Sequence, residues 1–191
     1  MGLFDKFKTQ AMNGVSEAVK SAAQSFSNKS VPIAVTSIPG SLQEFTALPQ
    51  AAMATPFDTA AMTVIALCVY PYNAEASVQM LNYLRGPRPL SGHELSFLKD
   101  RFRDSDYVPR SYFEGATPAN DYEPQEPYTI TVSENPYSYQ NQGYAKLFIR
   151  SGGADSPREV VLRQAKDGKW YLWDQFLLVS IRQPESANPW A

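Results

Sequence analysis

Thr55-Pro56-Phe57-Asp58-Thr59-Ala60-Ala61-Met62-Thr63-Val64-Ile65-Ala66-Leu67-Cys68-Val69-Tyr70 is the stretch on which the reading of the fold turns. Thr55 offers an N-cap hydroxyl, Pro56 suits a first helical position where its missing N–H costs nothing, and Asp58 follows three residues after the cap. The helix that runs from there to about Tyr70 is apolar on nearly every side between Ala60 and Val69. Such a helix must be covered around most of its circumference, so it predicts the spine of one core.

Downstream, Asn73 caps a second helix whose Val78, Leu81 and Leu84 share a stripe, and Gly86-Pro87 ends it. Ser91-Gly92-His93-Glu94 has the spacing of a capping box and opens a third, with Leu95, Leu98 and Phe102 inward and Lys99, Arg101 and Arg103 outward. After Tyr107 the apolar period changes to two, while Pro109, Pro118, Pro124, Pro127 and Pro136 exclude long helices. Strands are expected at Tyr128 to Ser133, Tyr144 to Arg150, Glu159 to Gln164, Trp170 to Asp174 and near Leu178 to Ile181. Gly152-Gly153 and Asp167-Gly168 punctuate them as turns, so neighbours should pair antiparallel.

Upstream, Pro32, Pro39-Gly40 and Pro49 leave room for a short strand around Ile33 to Thr36 and a helical turn from Ser41 to Ala47. Residues 3–27 contain no proline, and Leu3, Phe4, Phe7, Val15, Val19 and Phe26 fall on one face of an amphipathic helix. Ser27-Asn28-Lys29-Ser30 reads as a linker. The expected organisation is therefore a helix and linker over 1–30 and one α+β domain over 31–191, with N-terminal helices followed by a C-terminal antiparallel sheet of four or five strands. Trp190, so near the end, is expected to dock on that domain.

With 191 residues, 43% of them hydrophobic and 13% aromatic, the chain can bury one sizeable core. Seventeen Lys and Arg against 19 Asp and Glu give a net charge of −2, which offers no global field for nucleic acid. A single cysteine, Cys68, cannot close an internal disulfide and fits a reducing compartment. No signal-peptide core is visible and no stretch reaches the roughly 20 apolar residues of a membrane span, so a soluble cytoplasmic protein is expected. Met1-Gly2 with Lys6 departs from the myristoylation pattern.

His93 is the only histidine, which removes histidine-pair metal sites and leaves Cys68 one conceivable catalytic partner. Cys68 points into an apolar run, so no catalytic residue, metal or cofactor is assigned. Glu114, Asp121, Glu123, Glu126 and Glu134 lie in a stretch free of Lys and Arg, where tyrosines could stack on a sugar, but an ordered loop over the sheet explains them as well. Ser151-Gly152-Gly153 lacks the Gly-Lys-Ser/Thr ending of a phosphate loop. The basic group Arg85, Arg88, Arg101, Arg103 and Arg110 could face an acidic ligand, though Asp100, Asp104 and Asp106 interleave with it.

Three readings of function remain open. A non-enzymatic binding or scaffold protein would present a Tyr/Pro-rich surface carrying Tyr112, Tyr137 and Tyr139 to a protein partner. A small-molecule pocket between helices and sheet, with or without catalysis, would use Arg88, Arg110, Asp121 and Tyr122. Residues 3–27 would mediate self-association or weak membrane contact, with Lys6, Lys8 and Lys20 toward headgroups and Asp5 and Glu17 opposing them.

The runs Glu44-Phe45-Thr46-Ala47-Leu48-Pro49-Gln50, Leu84-Arg85-Gly86-Pro87-Arg88-Pro89-Leu90-Ser91 and Val132-Ser133-Glu134-Asn135-Pro136-Tyr137-Ser138-Tyr139 belong to a wider pattern. So do Gly168-Lys169-Trp170-Tyr171-Leu172-Trp173 and the ending Asn188-Pro189-Trp190-Ala191. Beyond the N-terminal helix the chain resembles an uncharacterised family of bacterial proteins, chiefly from Firmicutes. The resemblance implies a bacterial cytoplasmic protein and supplies no activity, cofactor or catalytic residue. Helices followed by a curved sheet with a Gly-Lys-Trp hairpin are also similar to the cone folds of the nuclear-transport-factor kind, which commonly enclose a pocket; a fold would not by itself fix function.

Overall fold

The computed structural model describes residues 28–190. The 3–27 helix, with its expected roles in self-association and membrane contact, lies outside the described residues. Within them the chain runs β1 (Ser30–Val35), α1 (Leu42–Ala47), α2 (Pro56–Val69), α3 (Ala74–Arg85), α4 (Gly92–Arg101), β2 (Tyr128–Ser133), β3 (Tyr144–Ile149), β4 (Arg158–Gln164) and β5 (Trp170–Gln175). The class is α+β.

α2 starts as its sequence dictates. Thr55 and Asp58 close a reciprocal capping box, and every residue from Thr59 to Val69 is buried. Polar side chains inside this core are satisfied locally: Thr63 donates to the Thr59 carbonyl at 2.8 Å, and Thr59 reaches across to the Trp170 carbonyl at 2.6 Å. Ser77 on α3 donates to the Ala66 carbonyl at 2.7 Å and so fixes α3 against α2. A buried hydroxyl without such a partner would cost about 1–3 kcal/mol.

The five strands form one antiparallel sheet in the order β1-β2-β3-β4-β5. Ile33, Val35, Ile130, Val132, Ala145, Leu147, Ile149, Val160, Leu162 and Leu172 are buried, and they alternate with more exposed neighbours as a one-sided sheet requires. The order is an open meander; the antiparallel expectation is met, and cone-like closure is not among what it shows.

β2 and β3 pair only at Val132↔Ile149 and Ser133↔Phe148. Where they diverge, the segment after α4 takes part in the hydrogen bonding. Glu114 N–H donates to the Thr129 carbonyl at 2.9 Å, Gln125 N–H to the Glu114 carbonyl at 3.2 Å, and Gly152 N–H to the Ser111 carbonyl at 2.8 Å. A Cβ on Gly152 would stand 1.9 Å from the Ala116 carbonyl oxygen, so this approach admits only glycine.

Four expectations need correction. Among the described residues the helices do not come first: β1 precedes α1 to α4 and pairs along its length with β2, its Pro32 tolerated because β1 lies at the edge of the described sheet. Leu178 to Ile181 is not a strand. Its backbone is held by a side chain instead of a ladder, with Arg158 donating to the Val179 carbonyl at 3.0 Å and the Ser180 carbonyl at 2.7 Å, and Ser180 sits at φ 54°. Leu95 is exposed on α4, whose only buried residue is Leu98. Trp190 is 92% exposed and does not dock. No described helix is long and apolar enough to cross a membrane.

Candidate functional site

At the C-terminal end of α2 a cleft of about 370 Å³ opens between helices and sheet. Cys68 and Val69 come from α2, Tyr72 and Asn73 from the turn after it, Ile38 to Gly40 from the loop after β1, Pro124 from the loop before β2 and Tyr128 from that strand's first position. Arg110 enters from a short 3-10 turn, Pro109–Tyr112. Its neighbours anchor that turn: Ser111 is buried, donating to the Val108 carbonyl and sharing a hydrogen bond with Ser151, both at 2.7 Å, while Tyr112 donates to the Leu177 carbonyl at 2.6 Å.

Arg110 is half-buried, and its Nη1 donates to the Tyr72 hydroxyl at 3.4 Å. Among the described residues no carboxylate lies within ion-pairing distance of it. Asn73 Oδ1 accepts from the Ala76 N–H at 3.1 Å as the side-chain cap of α3. The remaining wall is mostly apolar. A planar guanidinium facing an apolar cleft can take a carboxylate through two parallel N–H donors.

Cys68 lies at the same cleft but is buried. Burial pushes its thiol up, and the Arg110 charge offsets only part of that. The thiol is therefore protonated at neutral pH and a poor nucleophile. His93, on α4, lines a different cleft, so Cys68 and His93 do not share a site.

That second cleft, about 360 Å³ between α3, α4 and β5, is mainly apolar, and its buried cation is already matched. Arg85 Nη2 meets Glu94 Oε1 at 2.8 Å and its Nε donates to the Arg88 carbonyl at 2.9 Å. Glu94 Oε2 accepts from the Ser91 N–H at 2.8 Å and the Ser91 hydroxyl at 2.7 Å. Burial alone would raise the Glu94 carboxyl, but the Ser91 donors and the Arg85 charge outweigh it and hold the group below its ordinary value. A third, smaller cleft of about 270 Å³ lies beside Arg88 and the β4–β5 hairpin.

A family model described as Domain of unknown function (DUF6935) matches residues 37–185. The chain belongs to this family. Its matched span begins after β1 and takes in the whole lining of the Arg110 cleft, from Ile38 to Tyr128. No curated protein and no solved structure matches the chain.

Within that DUF6935 span, the seven residues singled out from the sequence do not form one constellation. Arg110 lines the first cleft and Arg88 the third. Tyr112 and Tyr122 are core residues; the Tyr122 hydroxyl donates to the Arg182 carbonyl at 2.6 Å, and burial pushes that phenol up to about 12. Asp121, exposed and at φ 54°, accepts from the Ser186 hydroxyl at 2.6 Å. Tyr137 and Tyr139 stand on the loop between β2 and β3, 65% and 39% exposed, with Tyr139 donating to Glu134 at 2.9 Å.

Glu114 accepts from the Thr131 hydroxyl and Glu126 from the Tyr128 hydroxyl. Among the described residues no three His, Cys, Asp or Glu side chains group closely enough to hold a metal ion. Sequence reasoning missed Tyr72, 77% exposed, and the Ile38 and Pro124 walls. Tyr72 sits between a helix end and a cap, where no periodicity marks it.

Proposed function

We propose that this protein binds a small amphipathic anion, a carboxylate on an apolar body, in the cleft beside α2, with Arg110 holding the charged end. One observation carries the reading: a half-buried guanidinium faces an apolar hollow, and among the described residues no carboxylate pairs with it. Pairing with a ligand carboxylate would supply the missing countercharge, and the apolar wall would bury the rest of the molecule. The cleft between helices and sheet is preferred to a Tyr/Pro-rich partner surface because Tyr112, one of that surface's three tyrosines, holds the core together. Tyr137 remains a candidate for a protein contact by virtue of its exposure. The proposed setting is a bacterial cytoplasm, in keeping with the sequence resemblance and the lone, buried thiol.

A thermal-shift panel tests this, pairing alkyl and aryl carboxylates with the matching alcohols. The reading expects several acids to raise the melting temperature and their alcohols to leave it unchanged. Equal shifts from acids and alcohols would remove Arg110 from the recognition, and no shift from any acid would remove the function.

A further inference from the structure

The third cleft differs chemically from the Arg110 site. It opens between the Gly86–Arg88 corner at the end of α3 and the β4–β5 hairpin, and its lining includes Arg88, Arg163 and Lys166 but no acidic side chain. Arg85, at its edge, is engaged by Glu94. In a chain of net charge −2, three cations therefore stand at one hollow with no carboxylate in its wall.

A β-bulge builds the arrangement. Leu162 pairs with Leu172 and Val161 with Asp174, so Trp173 is the extra residue without a partner in the register. Bulges of this kind turn a side chain out of the ladder's alternation, and they recur beside binding sites. The Trp173 carbonyl accepts from Arg88 Nη2. The Arg88 guanidinium lies 4.1 Å from the Trp173 ring centre, and that of Arg163 lies 4.8 Å from it and 5.3 Å from the Tyr144 ring. Stacking of this sort fixes the guanidinium plane while its N–H edge stays available to an acceptor. Gly86 sets the corner: at φ 58°, a Cβ there would fall 2.4 Å from the Tyr171 ring.

The nearby carboxylates are engaged elsewhere. Asp167 accepts from the Tyr171 hydroxyl at 2.8 Å and the Lys169 N–H at 3.0 Å, Asp174 from the Gln175 N–H at 2.8 Å, and Glu159 pairs with Lys146 at 3.2 Å. Neither Arg163 nor Lys166 has an ion-pair partner among the described residues.

We propose that this hollow is a phosphate site, taking a group with two or more negative charges on the N–H edges of Arg88 and Arg163 with Lys166 completing the charge. A single carboxylate would neutralise one of three cations; a phosphate chain matches both their number and the forked geometry of the arginines. The site is separate from the Arg110 cleft and stands or falls independently of it.

Isothermal titration of the full chain with inorganic pyrophosphate and with ADP, at low ionic strength, tests the proposal. Saturable binding that weakens with added salt is expected, about tenfold weaker in Arg163→Met and unchanged in Arg110→Met. ADP binding more tightly than pyrophosphate would identify a nucleotide as the source of the phosphate, and equal or weaker binding a bare phosphate chain; either supports the site. Lys166→Ala, on an exposed hairpin, should also weaken binding and serves if Arg163→Met fails to fold. No saturable binding of either probe, or binding unaltered in a folded Arg163→Met or in Lys166→Ala, overturns it.

Discussion

The hydroxyl of Tyr122 donates to the carbonyl of Arg182 at 2.6 Å, across 60 residues of chain. Tyr107 stacks on the Tyr122 ring at 5.4 Å, and a Cβ on Gly153 would come within 2.0 Å of the Tyr122 hydroxyl. Tyr112 makes the matching contact to the Leu177 carbonyl. Together these phenols hold the Pro-rich segment to the stretch that follows β5, so their removal should weaken the fold and leave the Arg110 cleft in place. Tyr122→Phe and Tyr112→Phe should each cost about 1 kcal/mol in urea unfolding, the ordinary worth of one buried hydrogen bond. A loss of ligand binding at full stability would instead make them binding residues.

Alkaline pH should expose the same contacts. Burial raises the Tyr122 phenol from 10.0 to about 12, and burial raises Tyr112 too. Below pH 10 both folded and unfolded states keep their protons. Above it the unfolded chain ionises first, so the stability these residues contribute declines as pH rises through the window between 10.0 and about 12 for Tyr122. The urea midpoint of the unaltered protein should therefore fall toward that of Tyr122→Phe between pH 10 and about 12. A gap that stays constant over that interval would contradict the assignment.

The Arg85–Glu94 pair predicts a different pH dependence. Because the Glu94 carboxyl is held below its ordinary 4.5, its contribution is complete above that value and is lost as pH falls through the lower folded one. Glu94→Ala would also strand a buried guanidinium and should cost roughly 3 kcal/mol at neutral pH. Arg85→Met in the Glu94→Ala background should recover part of this. Additive losses in that double-mutant cycle would argue against coupling.

Cys68 should resist alkylation. Its burial and raised thiol predict that iodoacetamide at pH 8 labels the folded protein slowly, with a rate that climbs in urea as the chain opens. Rapid stoichiometric labelling without denaturant would mean that the cleft floor is open and the thiol activated.

Local chemistry made much of this structure legible in the sequence. The Thr55 and Ser91 capping boxes, the Gly86 stop and the Asp167-Gly168 turn each act over a few residues, and the elements they bound stand as read. What escaped was non-local. β1 is a short strand on its own evidence, yet its place at the sheet edge depends on β2, far along the chain. Leu178 to Ile181 alternates like a strand, but Arg158 occupies its carbonyls. Tyr112 reads as a surface residue and Tyr122 as a pocket residue because a Pro-rich run suggests a solvated loop, whereas that run bonds to β2 and to the tail. Arg88 and Arg110 belong to the same basic stretch in sequence and to separate clefts in space.

Calorimetric titration of octanoate into the unaltered protein and into Arg110→Met measures whether the guanidinium holds the carboxylate. Recognition through Arg110 requires a saturable heat for the unaltered protein, none for 1-octanol at the same concentration, and affinity reduced about tenfold or more by the substitution with the melting temperature retained. Octanoate binding of equal strength in a folded Arg110→Met protein would contradict it.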